Sequence, residues 1–123
     1  MISKEMANKL ANEWIDSWNS HDLDRILNHY SDDFEFTTPF IMLLMNEPTG
    51  TLTGKQNVRK YWAKAFEKAP DLNFKLLDVT FCVNSITIYY RAVFGKLAME
   101  VHFYNDEGKI EKAVAHYNDI KME

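Results

Sequence analysis

Apolar residues near the N-terminus recur at intervals of three and four, the period of one face of an α-helix. These residues are Met6, Leu10, Trp14 and Trp18. The pattern predicts an amphipathic helix from about Ser3 to Asn19. The stretch "NSHD" at residues 19–22 interrupts it, and Asp22 is suited to cap a second short helix that runs to Tyr30.

The stretch "DDFEFTTPF" at residues 32–40 alternates apolar and polar side chains, which is the period of a β-strand. One face of this strand carries Phe34, Phe36 and Thr38. Glu35 points to the other face. We place Asp32 and Asp33 in the turn before the strand and expect Pro39 to end it.

Downstream, a loop rich in turn formers at residues 46–54 precedes a third amphipathic helix at about residues 55–68. The rest is dense in β-branched and aromatic residues, which predicts four strands. They lie in the stretches "NFKLLDVTFCV", "ITIYYRAVF", "LAMEVHFY" and "IEKAVAHYNDI". Helices grouped before an antiparallel sheet are typical of an α+β domain, so we expect the sheet to curl around the helices. The length of 123 residues suits one domain, over residues 1–123.

A two-residue turn at residues 95–96 would set the register between the second and third of these strands. It places Arg91 opposite Glu100. Tyr89 then lies opposite His102, and all four side chains share one face. The other face is nearly all apolar. We expect one face to pack on helices around a cavity and the other on a second copy of the chain. The pattern leaves open which of the two carries Tyr89 and Arg91.

Composition narrows the classes of function. The net charge is −4 with no long run of one sign, which disfavours a nucleic-acid partner. The N-terminal stretch lacks the apolar core of a signal peptide, and the longest apolar run, Phe40 to Met45, is too short to cross a membrane. The single cysteine, Cys82, excludes an intrachain disulfide, so a cytoplasmic location is expected. We expect Cys82 to be a small core residue.

Aromatic residues make up 14% of the chain, which suits either a core or a cavity for a flat apolar ligand. The four histidines show no spacing typical of metal ligands, and no glycine-rich phosphate loop is present. The sequence therefore predicts no metal and no cofactor.

Three stretches, together with the order of elements, resemble the nuclear transport factor 2-like superfamily, in particular its SnoaL-like polyketide cyclase and ketosteroid isomerase branch. They are "WIDSWNSHDLDRILNHYSDDFEFTTPF", "GTLTGKQNVRKYW" and "FYNDEGKIEKAVAHYND". The resemblance implies a cystatin-like α+β cone, in which a curved, mostly antiparallel sheet wraps three N-terminal helices around a pocket. It also implies a homodimer through the outer sheet face. Members include isomerases, cyclases, dehydratases, epoxide hydrolases and non-enzymatic binders, so the fold does not fix the reaction.

The resemblance also aligns catalytic positions of the family with residues of this chain. The proton-shuttling acid of the isomerases falls on Thr38, and a tyrosine of their oxyanion hole falls on Trp14. A second oxyanion group, a protonated acid, falls on Glu100, which keeps a carboxyl. The His-Trp-Asp that often ends the last strand of the cyclases is His-Tyr-Asn at residues 116–118, so this acid is also replaced.

Glu100 and His102 lie two residues apart on a strand and share a face, and a carboxylate beside an imidazole in an apolar pocket would form an acid/base pair. They are the candidate catalytic residues. Alternatively, they form a satisfied polar cluster with Tyr89 and Arg91, in which Arg91 would keep Glu100 ionised. The candidate substrate-binding residues are Trp14, Phe34, Phe36, Thr38, Tyr61 and Tyr117.

These observations predict a SnoaL-like domain that binds a small hydrophobic ligand in an aromatic pocket. A catalytic member of this kind would be a cofactor-independent isomerase, cyclase or dehydratase that uses proton transfer. Two alternatives stay open: a binding or interaction module that has lost the catalytic acids, and a structural dimer with a filled interior. Thr38 and Asn118 favour the binding module, whereas Glu100 favours the enzyme.

Overall fold

A computed structural model describes all 123 residues. The helices are α1 (Lys4–Asn19), α2 (Leu23–Leu27), α3 (Pro39–Met45) and α4 (Lys55–Lys68). The strands are β1 (Tyr30–Thr37), β2 (Thr51–Thr53), β3 (Lys75–Phe81), β4 (Ser85–Arg91), β5 (Leu97–Tyr104) and β6 (Ile110–Tyr117). They form one curled sheet in the order β2-β1-β6-β5-β4-β3, in which only β1 and β6 pair in parallel. The predicted α+β cone with a mostly antiparallel sheet is confirmed.

Both N-terminal helices begin at side-chain caps. The Ser3 hydroxyl accepts a hydrogen bond from the Met6 N–H, and the Asp22 carboxylate accepts one from the Arg25 N–H. The cap at Asp22 is as predicted, but α2 ends at Leu27, and Tyr30 begins a strand instead of ending a helix. α1 contacts β3 and lies across the inside of the sheet.

Strand β1 and helix α3 differ from the sequence-based prediction. Because β1 begins at Tyr30, Asp32 and Asp33 lie inside the strand, exposed, and not in a preceding turn. Pro39 ends the strand as expected, yet it also begins α3, which was not predicted. Thr38 is the N-cap of this helix and Pro39 occupies its first turn, a pairing that favours a helix start.

The register between β4 and β5 also differs from the prediction. A 3₁₀ turn at Val93–Gly95 connects the two strands, and the Ala92 N–H donates to the Lys96 carbonyl over 2.7 Å. Arg91 therefore pairs with Leu97, and Ile88 pairs with Glu100.

The predicted pairings of Arg91 with Glu100 and of Tyr89 with His102 are wrong. The observed register is shifted from them by an odd number of residues, which exchanges faces. Glu100 and His102 point into the molecule on the same face as Tyr90, whereas Tyr89 and Arg91 lie on the outer face. The face that carries Tyr89 and Arg91, which the sequence left open, is therefore the outer face of the sheet.

The interior of the cone is filled by large side chains from the helices and the concave sheet face. The largest of those that are almost fully buried are Trp14, Trp62, Tyr30, Tyr90 and Phe34. Cys82, expected in the core, is exposed at the end of β3. No helix combines the length and apolar character needed to cross a membrane.

Candidate active site

A cavity of about 50 Å³ lies between the helices and the concave face of the sheet. Its helical lining comprises Trp14, Trp18, Phe40, Leu44, Tyr61, Trp62 and Ala65, and its sheet lining comprises Phe36, Tyr90, Glu100 and Tyr117. Of 18 lining residues 16 are hydrophobic, so a bound molecule would meet mainly aromatic rings. Exposed lining residues, Lys68, Phe94 and Met122, mark the mouth.

Glu100 is the carboxyl group on the cavity wall. Strand β5 directs this side chain inward, and Glu100 is only 3% exposed. The Tyr90 hydroxyl, one strand away, donates to Glu100 Oε1 over 3.1 Å. Glu100 Oε2 lies 2.8 Å from His102 Nε2. Because an ionised carboxylate only accepts hydrogen bonds, Nε2 carries the shared proton when Glu100 is charged.

His102 lies behind Glu100, with no exposed surface, and does not line the cavity. Its ring is edge-on to the Trp14 indole at 5.0 Å between centroids, and its Nδ1 has no hydrogen-bond partner. The Trp14 N–H donates to the Tyr30 hydroxyl over 2.9 Å. These contacts fix the imidazole and leave Glu100 as the ionisable member of the pair that reaches the cavity.

The predicted polar cluster of Glu100 and His102 with two outer residues does not form. The Arg91 guanidinium is exposed and donates to the Gly95 carbonyl over 2.8 Å. His102 is the one basic side chain within ion-pair distance of Glu100. The carboxyl is therefore held by a hydroxyl and an imidazole, and no arginine or lysine compensates its charge.

Five tyrosines near Glu100 have raised pKa values. They are Tyr30, Tyr61, Tyr90, Tyr104 and Tyr117. Burial is the largest cause of each increase in pKa, and the charge of Glu100 adds to it. The Thr38 hydroxyl opposes the increase in the pKa of Tyr61 and Tyr117. The hydroxyls around Glu100 therefore stay protonated and neutral well above neutral pH.

Because of these five tyrosines, the stability of the fold is expected to fall at alkaline pH. A raised pKa means that the folded state holds these protons more tightly than the unfolded chain, whose tyrosines titrate near pH 10. Stability is therefore complete below about pH 10 and falls above it by about 1.4 kcal/mol per pH unit for each such tyrosine. In a titration monitored at 295 nm, five of the six tyrosines are expected to ionise only as the protein unfolds.

Circular dichroism on the same samples provides the control for that titration. In guanidinium chloride all six tyrosines should ionise together near pH 10. Ionisation of all six near pH 10 while the circular dichroism stays native would contradict the buried cluster.

The structure brings five of the eight predicted site residues to the cavity. They are Trp14, Phe36, Tyr61, Glu100 and Tyr117. The other three lie behind the wall. Phe34 is fully buried against Tyr30 and Trp62, and Thr38 caps α3 by accepting from the Phe40 N–H over 3.3 Å. His102 is the third.

Several lining residues were not predicted as site residues. Two of them, Phe40 and Leu44, could have been identified from the sequence. The Thr38-Pro39 pair precedes an apolar run, and a helix starting there places Phe40 and Leu44 on one face. The predicted two-residue turn placed Tyr90 on the face opposite to Glu100, whereas the two side chains share a face. No group of three or more histidine, cysteine, aspartate or glutamate side chains is arranged to hold a metal ion.

A curled sheet that encloses helices and an aromatic cavity defines a protein with a cystatin-like α+β fold. The family model for the SnoaL-like domain matches residues 11–111. The chain therefore belongs to the SnoaL-like family, and its predicted resemblance to that family is confirmed.

Among solved structures, a SnoaL-like protein of unknown function from Burkholderia thailandensis is 42% identical, with a TM-score of 0.92 over 96% of this chain and 98% of that one. A putative isomerase of the SnoaL-like family from Agrobacterium tumefaciens is 19% identical, with a TM-score of 0.73 over 92% and 97%. SalBIII, an epoxide hydrolase/cyclase-like enzyme in pyran ring formation of salinomycin, is 14% identical, with a TM-score of 0.74 over 96% and 95%. The last two share the fold alone. A comparison with curated proteins finds no match.

Proposed function

We propose that the cavity binds a small hydrophobic molecule and that Glu100 transfers a proton to or from it. The reaction is a cofactor-independent isomerisation, cyclisation or dehydration. The observation that carries this proposal is the Glu100 carboxyl, 3% exposed, on the wall of an aromatic cavity. A carboxyl group that faces a bound molecule in such a cavity is placed to act as its general acid or base.

The neighbours of Glu100 support proton transfer. His102 Nε2 and the Tyr90 hydroxyl each hold one carboxyl oxygen, which fixes the orientation of the group. Tyr90 also lines the cavity. Its hydroxyl has a single proton, which it donates to Glu100 while that carboxyl is ionised and can donate to an oxygen of the bound molecule once Glu100 is protonated. In this proposal Glu100 moves the proton, Tyr90 stabilises developing charge, and His102 positions Glu100.

The size of the cavity limits what enters it. Since a buried water needs about 10–15 Å³, the volume of about 50 Å³ admits a short alkyl or other small group. The rest of a larger molecule would lie at the mouth, beside Phe94 and Met122. The walls available to the inserted group are the rings of Trp14, Phe36 and Tyr61.

The test starts from a crystal grown without added ligand, with co-purified density identified by mass spectrometry, and measures turnover or solvent-deuterium exchange on that compound. Glu100→Gln is expected to lower the rate by at least about 100-fold, because the amide cannot accept the proton. The matched control is Glu111→Gln, an exposed carboxyl on β6, which should leave the rate unchanged. An unchanged rate in Glu100→Gln would remove Glu100 from the mechanism.

A non-enzymatic binding module is the second candidate. Thr38 and Asn118 occupy positions where the resemblance to the family implies acids, and both serve the fold here. Thr38 caps α3, and the Asn118 side-chain carbonyl accepts from the Leu97 N–H over 3.0 Å. This candidate is favoured if the identified compound binds without turnover in both the parent protein and Glu100→Gln.

We propose further that the outer sheet face pairs with a second copy of the chain. Met99, 49% exposed on β5, supports this, since it lies between partly buried Leu97 and Val101 on that face. Met99→Asp is expected to convert a dimer to a monomer in light scattering, because it places a charge in an apolar interface. Met42→Asp, an equally exposed methionine on α3, is the control. A parent protein that is already monomeric would refute the dimer.

We also propose a cytoplasmic location. The exposed free thiol of Cys82 supports it, because an unpaired surface thiol suits a reducing compartment.

A further inference from the structure

A surface depression of about 440 Å³ adjoins the mouth of the aromatic cavity. The two share the lining residues Lys68, Ala69, Leu72, Val93 and Phe94. The depression is formed by the end of α4, the loop after it and the turn between β4 and β5. A molecule whose end enters the cavity would therefore extend into this depression.

The depression differs from the cavity in charge. Its charged lining side chains are Lys68, Asp71 and Arg91. None of the three forms an ion pair within 4.0 Å. Arg91 uses Nη1 to bind the Gly95 carbonyl and is otherwise open to solvent. The depression thus carries a net positive charge on a chain whose net charge is −4.

Phe94 stands where the cavity and the depression meet, and it lines both. Its φ of 56° is in the left-handed region, which is uncommon and strained for a bulky residue. The ring is 41% exposed. Strained residues of this kind cluster at ligand clamps. The conformation and the location of Phe94 therefore both suit a contact with the middle part of a bound ligand.

We propose that the ligand is an amphipathic anion with a short apolar end and a carboxylate or similar head group. The apolar end enters the cavity, and the head group lies in the depression near Lys68 and Arg91. The carboxyl of Glu100 on the cavity wall favours this orientation, since in its ionised form it repels an anionic group from the cavity. This inference rests on the proposed function, because it assumes that the aromatic cavity binds the apolar part.

The test compares hexanoate with 1-hexanol, which has an equal chain length and no charge. Both are titrated at low ionic strength into the ¹⁵N-labelled protein. The chain has three tryptophans, Trp14, Trp18 and Trp62, and all three line the cavity, so every indole N–H signal reports on it. Hexanoate is expected to bind at least about fivefold more tightly than 1-hexanol, with a preference that shrinks as salt is added.

Variants then assign the head-group site. Lys68→Gln and Arg91→Gln should each weaken hexanoate binding severalfold and leave 1-hexanol binding unchanged, whereas Lys68→Arg and Arg91→Lys should keep the preference. Asp71→Asn should strengthen hexanoate binding, because it removes the negative charge in the depression. Lys9→Gln changes the net charge equally at an exposed site on α1 and is expected to have no effect.

The outcomes separate this inference from the proposed function. Equal binding of the two compounds, or unchanged hexanoate binding in Lys68→Gln and Arg91→Gln, overturns the anionic head group and leaves the apolar site standing. If neither compound shifts the indole signals, the apolar site is wrong, and the inference fails with it.

Discussion

Replacement of Trp14 by alanine is expected to lower the free energy of unfolding by about 4 kcal/mol, the largest effect of any single truncation proposed for this chain. The indole is 2% exposed at the centre of the aromatic interior. It lies beside four other rings: Trp18, Phe74, Tyr90 and His102. Truncation removes these contacts, leaves a void, and takes the donor from the Tyr30 hydroxyl. Urea denaturation followed by circular dichroism measures the change.

Two further variants show which part of the Trp14 effect is packing. Trp14→Phe keeps most of the ring and loses the hydrogen bond to Tyr30, so its cost is expected near 1–2 kcal/mol. Leu77→Ala, on β3 and 39% exposed, should cost less than about 1 kcal/mol. A Trp14→Ala variant no less stable than Leu77→Ala would mean that the interior is not built around Trp14.

The long helices could be predicted from the sequence because their signals are local. α4 has the bounds that the apolar spacing predicts, residues 55–68, and α1 begins directly after Ser3. A helix period and an N-cap depend on residues within one or two turns of each other. The same holds for Asp22, which caps α2. Such features need no knowledge of the rest of the fold.

The register between β4 and β5 could not be predicted in the same way, because it depends on one backbone conformation. Glycine at position 95 suggested a two-residue turn, and residues 93 and 94, valine and phenylalanine, read as strand. In the structure Phe94 itself adopts a positive φ, and the turn becomes longer. No local propensity predicts a left-handed phenylalanine. The error exchanged the faces of Tyr89 and Tyr90 relative to Glu100.

The prediction for Glu100 was not affected by this error. Glu100 was selected by resemblance to the family and not from the cross-strand pairing, and it lies on the cavity wall. Alignment to a family assigns residues by their place in the whole fold and does not depend on the conformation of one turn. The pairing of Glu100 with Tyr90, by contrast, depends on the register alone. This is why Glu100, but not the Tyr90 hydroxyl beside it, could be selected from the sequence as a residue of the cavity wall.

Replacement of Glu100 separates the stability of the site from its chemistry. Glu100→Leu is expected to lower the free energy of unfolding by about 3 kcal/mol, since the Tyr90 hydroxyl and both nitrogens of buried His102 lose or lack partners. Glu100→Gln should cost within about 1 kcal/mol, because its amide accepts from Tyr90 and donates to His102 in the other tautomer. Urea denaturation near pH 7 compares the two variants.

A double variant tests whether the cost of Glu100→Leu arises from the stranded imidazole. Glu100→Leu combined with His102→Leu should recover part of the lost stability, because no unpaired imidazole is then buried. Strict additivity of the two single changes would show that the 2.8 Å contact between Glu100 and His102 contributes no coupling energy. A measurable coupling energy between Glu100 and His102, together with a Glu100→Gln variant that is stable but inactive, would have a clear meaning. Because the amide would then satisfy the hydrogen bonds of the fold, the carboxyl of the buried pair would be needed for proton transfer and not for stability.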